Sequence, residues 1–186
     1  MRFPARMAQF FQEVAVPGKV PPFEELIAGT QRSAVHLEMR DAYVPNDPSF
    51  IAWQGGPPYD RTQREADWHA LIGGARARGL VVRRARIISE PVTPYIRFEY
   101  DVTDSMNIAA GEQVRWLPRW RASDLALPGN DFWVFDDCLV RFGHFAGDGT
   151  GIGHEMSDDP AVIKLCAAAF EAVWERAVDH TNYRPA

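Results

Sequence analysis

The strongest constraint on the fold is an amphipathic segment near the C-terminus. Asp158 or Asp159 can cap a helix there, and Pro160 suits its first turn. Apolar residues then recur with the spacing of one helix face: Val162, Leu165, Cys166, Ala169, Phe170, Val173, Trp174 and Ala177. We therefore predict a long C-terminal helix that packs Phe170 and Trp174 onto a sheet.

Several segments have the alternation or apolar content of β-strands. The stretch from residue 34 to 43 alternates apolar and polar side chains, although a helix is an alternative there. Residues 79–89 and 113–120 also read as strands. Residues 131–145 contain two apolar runs joined by Asp136 and Asp137, which predicts a β-hairpin, and a short strand should follow at 152–156.

Further helices are predicted over residues 4–15, about 22–31 and 62–78, the last with Thr62 and Glu65 as a capping box. Residues 92–108 fit either a helix or a strand, and we favour the helix. Residues 45–61 are crowded with Pro and Gly and indicate a long surface loop. Together these elements predict a single α+β domain over residues 1–186, with a mixed sheet of about five to seven strands flanked by helices. Residues 1–21 are expected to form its N-terminal helix and Pro-rich connector.

Composition narrows the functional class. The 186 residues carry a net charge of −5, which argues against direct nucleic-acid binding. No apolar run approaches the ~20 residues of a membrane span, and Gln9, Gln12 and Glu13 make the N-terminus a poor signal peptide. The two cysteines lack metal spacing and read as buried hydrophobes in a reducing compartment. We expect a cytoplasmic protein with no membrane partner.

The segment from Phe132 to Pro160 holds histidines, acids and four alternating glycines, which are residue types of metal and phosphate sites. Its acids and histidines lack the compact spacing of a zinc or calcium motif. Its glycines precede a predicted strand rather than a helix, and the segment has no lysine. The simpler interpretation is strands joined by acidic and glycine turns, with no metal and no cofactor.

No catalytic residue is predicted. The sequence lacks a Gly-x-Ser-x-Gly elbow, and neither Cys138 nor Cys166 lies at a helix start beside a basic group. Glu38, Glu99 and Glu112 are candidate acids, but nothing in the sequence pairs them.

Arginine and tryptophan provide the candidate ligand site. A guanidinium beside an indole can bind an anionic or aromatic ligand. The candidate ligand-binding residues are Arg97, Arg115, Trp116, Arg119, Trp120 and Arg121. Three further arginines, Arg83, Arg84 and Arg86, lie on one predicted strand. The alternative for these segments is a solvated strand face whose arginine stems cover the tryptophan rings.

Several runs of the sequence resemble an uncharacterised actinobacterial family, a domain of unknown function. They are "FEELIAGTQRSAVHLEMRDAY", "ISEPVTPYIRFEY", "NIAAGEQVRWLPR", "DFWVFDD" and "FEAVWERAVDH", which together span nearly the whole chain. Genes of this family often lie near helix-turn-helix regulators. The resemblance therefore implies a regulatory or accessory role.

The order of elements, with the "FWVFDD" strand and the C-terminal Phe170, Trp174 and Ala177, also resembles the phospholipase-D-like fold. Active members of that fold need His-x-Lys-x4-Asp, in which the histidine is the nucleophile and the lysine holds the phosphate. Only Lys19 and Lys164 could supply the lysine, and Pro17 and Val162 stand where the histidine is required. The resemblance thus implies this fold without its catalytic motif.

These observations favour a non-catalytic ligand-binding or protein-interaction module that is accessory to a transcriptional regulatory circuit. A helix-turn-helix regulator or another protein, and a small anionic or aromatic ligand, are the expected partners. Two alternatives stay open: a small-molecule enzyme with an unrecognised arginine and acid site, and one half of a toxin–antitoxin pair.

Overall fold

The computed structural model describes residues 20–186, so the predicted helix at 4–15 lies outside the described residues. The helices are α1 (Phe23–Gly29), α2 (Pro48–Trp53), α3 (Thr62–Ala77), α4 (Pro94–Thr103) and α5 (Pro160–Arg176). The strands are β1 (Ser33–Glu38), β2 (Val81–Ile88), β3 (Gln113–Pro118), β4 (Asp131–Phe135), β5 (Leu139–Phe145), β6 (Gly151–Ser157) and β7 (Val178–Asp179). One π-helical turn, Asp104–Ile108, extends α4.

The strands form one seven-stranded mixed sheet in the order β6-β5-β4-β1-β2-β3-β7. Strands β1, β2 and β3 are parallel, and every other neighbouring pair is antiparallel. The α+β class and the mixed sheet flanked by helices are confirmed. Helix α5 covers one face of this sheet, and α1, α3 and α4 cover the other.

The face under α5 is an apolar core. Leu37, Ile87 and Val134 project from the sheet onto Phe170 and Val173 of α5, and all of these residues are buried. Asp159 caps the helix by accepting the backbone N–H of Ala161 at 2.7 Å, as the sequence predicted. Burial of a large apolar side chain stabilises a fold by roughly 2–3 kcal/mol. One residue of the predicted stripe, Leu165, is instead exposed.

The hairpin of β4 and β5 confirms the prediction at Asp136 and Asp137. Both residues adopt positive φ, 51° and 54°, as in a primed turn, and the Cys138 N–H closes the turn by donating to the Phe135 carbonyl at 3.0 Å. The Asp136 carboxylate also accepts backbone N–H groups from Gln31, Arg32 and Ser33 at 2.7–2.9 Å. The acidic turn therefore anchors the start of β1 to the end of β4.

The structure corrects two local predictions. Residues 45–61 are not a loop throughout, because Pro48–Trp53 form α2, where Pro48 suits the first turn and Asp47 accepts the N–H of Ser49 at 2.7 Å. The capping box at Thr62 is wrong, because α3 has no side-chain cap bond and Glu65 pairs with Arg61 at 3.0 Å. Residues 94–103 form a helix, which confirms the helix rather than the strand as the structure of this segment.

None of the helices among residues 20–186 combines the length and the apolar character that crossing a membrane requires.

Candidate functional site

A cleft of about 990 Å³ opens on the face of the sheet opposite α5. Its lining comes from the ends of β1 and β2, from α3, from α4 with its π-helical turn, and from the segment that leads into α2. These segments are far apart in sequence, and the parallel pairing of β1 with β2 brings them together.

Two arginines of β2 form the floor of the cleft. Because side chains alternate along a strand, Arg84 and Arg86 face the cleft while Ala85 and Ile87 join the core under α5. Arg84 and Arg86 are only 7% and 5% exposed. The alternative of a solvated arginine face is therefore wrong for these two residues.

Glu38, at the end of β1, bridges both arginines. Its Oε1 accepts from Arg84 Nη1, and its Oε2 accepts from Arg86 Nε. Burial by itself would raise the pKa of Glu38, but the two guanidinium groups outweigh burial and hold that pKa well below its usual range. Glu38 is thus an ionised carboxylate inside the fold.

Glu112 holds Arg84 from the other side. Its Oε2 accepts from Arg84 Nε at 2.8 Å, while its Oε1 accepts from Trp68 Nε1 at 2.7 Å and from Asn107 Nδ2 at 2.8 Å. The pair Arg84 and Glu112 is shielded from water, and the Glu112 carboxylate holds Trp68 at the cleft wall.

His36 completes this network from β1. Its ring stacks on Trp133 at 4.3 Å, and Nδ1 lies 2.9 Å from Arg84 Nη1. Burial is the main cause that lowers the pKa of His36 well below its usual value, with Arg84 and Arg86 acting in the same direction and Glu38 opposing them. His36 is therefore neutral and accepts a hydrogen bond from Arg84.

Glu99 on α4 differs from the other acids. One oxygen, Oε1, lies 3.6 Å from Arg86 Nη2, too far for a good hydrogen bond. The other, Oε2, is buried and bonds to no polar atom of residues 20–186. Burial raises the pKa of Glu99 to about 7, against the opposing pull of Arg86. The cleft is therefore lined by a carboxyl group whose pKa is close to neutral pH and whose Oε2 has no hydrogen-bond partner among residues 20–186.

Aromatic rings form the walls. Tyr95 and Phe98 on α4 lie 5.9 Å apart between ring centroids, and Tyr43 contacts Tyr95 at the same distance. Phe145 closes one end against Tyr43 at 5.2 Å, and Trp68 stands across the cleft on α3. The site therefore combines flat apolar surfaces with a charged floor, which is the usual composition of a small-molecule site.

The rim carries paired charges and one unusual backbone conformation. Arg61 pairs with Glu65 at 3.0 Å, and Arg64 pairs with Asp47 at 2.8 Å. Val44 has a φ of 39°, which is an outlier for a β-branched residue, and its N–H donates to the Gly149 carbonyl at 3.0 Å. Such backbone strain occurs most often near binding and catalytic sites.

The six predicted ligand-binding residues do not meet at this cleft. Arg115 points to the opposite face, where it donates to the Trp174 carbonyl at 2.8 Å and covers the Trp174 ring. Trp116 is fully buried and donates to His180 Nδ1 at 3.0 Å. Trp120 is 70% exposed. The alternation of β3 therefore separates the neighbouring guanidinium and indole groups.

The other three residues join segments that are distant in the sequence. Arg119 bridges strand ends, donating to the Met39 carbonyl at 2.8 Å and to Ser89 Oγ at 3.0 Å. Arg97 donates to the Pro185 carbonyl at 3.2 Å, and the carbonyl of Arg121 accepts from Arg176 at 3.0 Å. These contacts are structural, and they leave the six residues in separate places.

The sequence did contain the residues of the cleft floor, but not their pairing. Arg84 and Arg86 are two positions apart in a largely apolar strand, and this spacing is the feature of the sequence that indicates a charged site on one face of the strand. Glu38, Glu99 and Glu112 had no partner within their own segments, and tertiary structure brings all three to these arginines. Within residues 20–186, no group of three His, Cys, Asp or Glu side chains converges as metal ligands.

The fold and the cleft define an α+β domain with an ion-paired, aromatic-walled cavity on one face of a mixed sheet. The chain belongs to the family described as Domain of unknown function (DUF6879), which matches residues 21–185. No curated protein matches the sequence. Among solved structures, the chain is similar to Nuc from Salmonella typhimurium, a phospholipase D family member. The identity is 14%, the alignment covers 87% of this chain and 88% of that one, and the TM-score is 0.46.

Proposed function

We propose that the protein is a non-catalytic ligand-binding module whose site is the cleft, and that it acts as an accessory to a transcriptional regulatory circuit in the cytoplasm. The observation that carries the proposal is the buried network of Glu38, Arg84, Arg86 and Glu112 beneath an open cavity. The cavity volume falls in the range of small-molecule sites, about 300–1,000 Å³.

The energetics of the floor support this proposal. Buried ion pairs seldom stabilise a fold more than apolar residues of the same size would, because removing both charges from water costs so much. Here the charges lie at the base of a cavity, bond to one another and hold the lining residue Trp68 in a fixed position. A lining that is fixed before a ligand arrives lowers the cost of binding, which favours a binding role over a purely structural one.

The regulatory part of the proposal has a separate support. It rests on the resemblance to an actinobacterial family whose genes lie near helix-turn-helix regulators. In this proposal a helix-turn-helix protein is the partner, and ligand occupancy of the cleft changes the contact between the two proteins.

The test is native mass spectrometry of protein purified gently from its own host. We expect an added mass of a few hundred daltons in the wild type. The variant Val102→Trp places an indole in the cleft lining and should abolish the added mass. Ala168→Trp on the exposed side of α5 is the matched control and should retain it. A bare wild-type mass, or a mass unaffected by Val102→Trp, would contradict the cleft as the ligand site.

One observation favours a second candidate function, that of a small-molecule enzyme. A carboxyl group with a pKa of about 7 in a cleft suits general base catalysis at neutral pH. The bound molecule released from the host protein separates the two functions. An enzyme would convert it on incubation with fresh protein and Glu99→Gln would stop the conversion, whereas a binding module would return it unchanged.

A further inference from the structure

We infer that the cleft binds a small organic cation with planar N–H donors, and that Glu99 is the carboxylate that receives it. This inference rests on the proposed ligand-binding function and specifies the chemical class of the ligand. It depends on three features of the cleft: its charge balance, the free oxygen of Glu99 and its aromatic walls.

The charge balance of the lining is acidic. Six acids line the cleft: Glu24, Glu38, Asp47, Glu65, Asp67 and Glu99. The four arginines that line it, Arg61, Arg64, Arg84 and Arg86, each have a carboxylate partner. Each of these guanidinium groups already pairs with an acid, and the lining holds more acids than arginines, so the cleft offers an anionic ligand no unpaired positive charge and offers a cation an excess of negative charge.

The free oxygen of Glu99 gives the cation a specific anchor. Glu112 uses its two oxygens on Arg84, Trp68 and Asn107, and Glu38 uses both of its oxygens on arginines. Within residues 20–186 Glu99 Oε2 has no such partner, and Glu99 is 8% exposed. A buried acceptor without a donor is costly, so a ligand N–H that reached it would recover that cost. Burial raises the pKa of Glu99 against the opposing pull of Arg86.

The walls favour a flat cation over a compact one. Seven aromatic residues line the cleft: Phe23, Tyr43, Tyr59, Trp68, Tyr95, Phe98 and Phe145. The faces of such rings attract cations, and they also stack on planar groups. Tyr95 and Phe98 stand on the same helix as Glu99, at four and one residues from it, so the rings and the carboxylate are presented together.

The test compares three probes of one shape and different charge. Benzamidine is a planar cation, benzamide its neutral analogue and benzoate the anion. We expect benzamidine to bind by isothermal titration calorimetry and benzamide to bind at least about tenfold more weakly, as loss of a charge-assisted hydrogen bond implies. Benzoate should be the weakest of the three.

Variants assign the effect to Glu99. Glu99→Gln should weaken benzamidine binding at least about tenfold and weaken benzamide binding less, since it removes the charge with little change in shape. Glu99→Asp keeps the charge and should retain part of the preference. Glu175→Gln makes the same change on the exposed surface of α5 and should have no effect. A thermal melt of each variant confirms that it is folded.

The outcomes separate this inference from the proposed function. Stronger binding of benzoate, lost in Val102→Trp, would overturn the cation class and leave the cleft as a ligand site. Benzamidine binding that is unchanged in Glu99→Gln would overturn the role of Glu99. Failure of all three probes at millimolar concentration would also overturn the cation class, while the added mass in the host protein would still decide the proposed function.

Discussion

Arg83 and Arg84 are neighbours on one strand, yet they lie in opposite environments. Arg83 faces α5, where it covers the rings of Phe170 and Trp174 and pairs with the exposed Glu171 at 2.6 Å. Arg84 faces the cleft, where it is buried between Glu38 and Glu112. On one face of the sheet an arginine side chain therefore lies over an apolar core, and on the other face an arginine is buried at the centre of a polar network.

The difference shows that the two faces of one sheet are built in different ways. The α5 face is closed, and its aromatic residues touch apolar neighbours. The cleft face leaves a cavity above a network of ion pairs and holds one carboxyl oxygen without a partner among residues 20–186. The following predictions test this comparison.

The largest expected effect is loss of a buried carboxylate. Glu38→Ala leaves Arg84 and Arg86 without their shared acid, and removal of one partner from a buried ion pair costs about 3–5 kcal/mol. Glu171→Ala removes the acid of Arg83 on the opposite face, where the pair is exposed, and should cost less than about 1 kcal/mol. Urea unfolding of both variants measures the difference. Equal losses of stability would mean that the buried ion pairs of Glu38 and the exposed ion pair of Glu171 contribute equally to folding.

The next largest loss of stability should come from truncating an aromatic residue on the face of the sheet that α5 covers. Trp174 is buried, stacks on Phe170 at 5.6 Å and lies under Arg115. Trp174→Ala should therefore lower the free energy of unfolding by about 3–5 kcal/mol. Trp120→Ala removes an indole that is mostly exposed and should change it by less than about 0.5 kcal/mol. If the two melting curves coincide, the role of α5 as the cover of the core is wrong.

The cleft face should also carry its own pH dependence through Glu99. Its folded pKa of about 7 is above the usual 4.5, so between these values the native protein keeps a proton that the unfolded chain has released. The contribution of Glu99 to stability therefore falls as the pH rises through that window. Glu99→Gln cannot ionise and should gain about 1–3 kcal/mol on the wild type at pH 8 and little at pH 5.

Unfolding at several pH values checks this prediction. Asp131 also has a raised pKa, of about 6, and remains in both proteins, so the difference between the two profiles isolates Glu99. Glu175→Gln should follow the wild-type profile throughout. Parallel profiles for Glu99→Gln and the wild type would show that Glu99 is ionised at neutral pH in the folded protein.

The smallest effect concerns strain at the cleft rim. Val44 is exposed and holds a positive φ that β-branched residues avoid, whereas asparagine tolerates it. Val44→Asn should raise the free energy of unfolding by about 0.5–1 kcal/mol. Val81→Asn alters an equally exposed valine in extended backbone and should lower it, because valine favours strands. A loss of stability in both variants would show that Val44 is not strained.

Local patterns in the sequence determined much of the scaffold. The apolar spacing and the Asp–Pro start define α5, and the paired aspartates define the hairpin of β4 and β5. These features depend on residues within one or two turns of each other, so they can be read from a single segment. Alternation and short apolar runs predicted six of the seven strands, whereas β7 has only two residues and no such pattern.

Tertiary structure alone decided which polar residues became the cleft. The alternation of β2 puts Arg83 and Arg84 on opposite faces, but it does not say which face a helix will close or which acid will meet each arginine. Glu38 pairs with Arg84 across 46 positions of sequence, and Glu112 across 28. The buried charges are stable only because these distant carboxylates arrive together, and that depends on the strand order rather than on any local pattern.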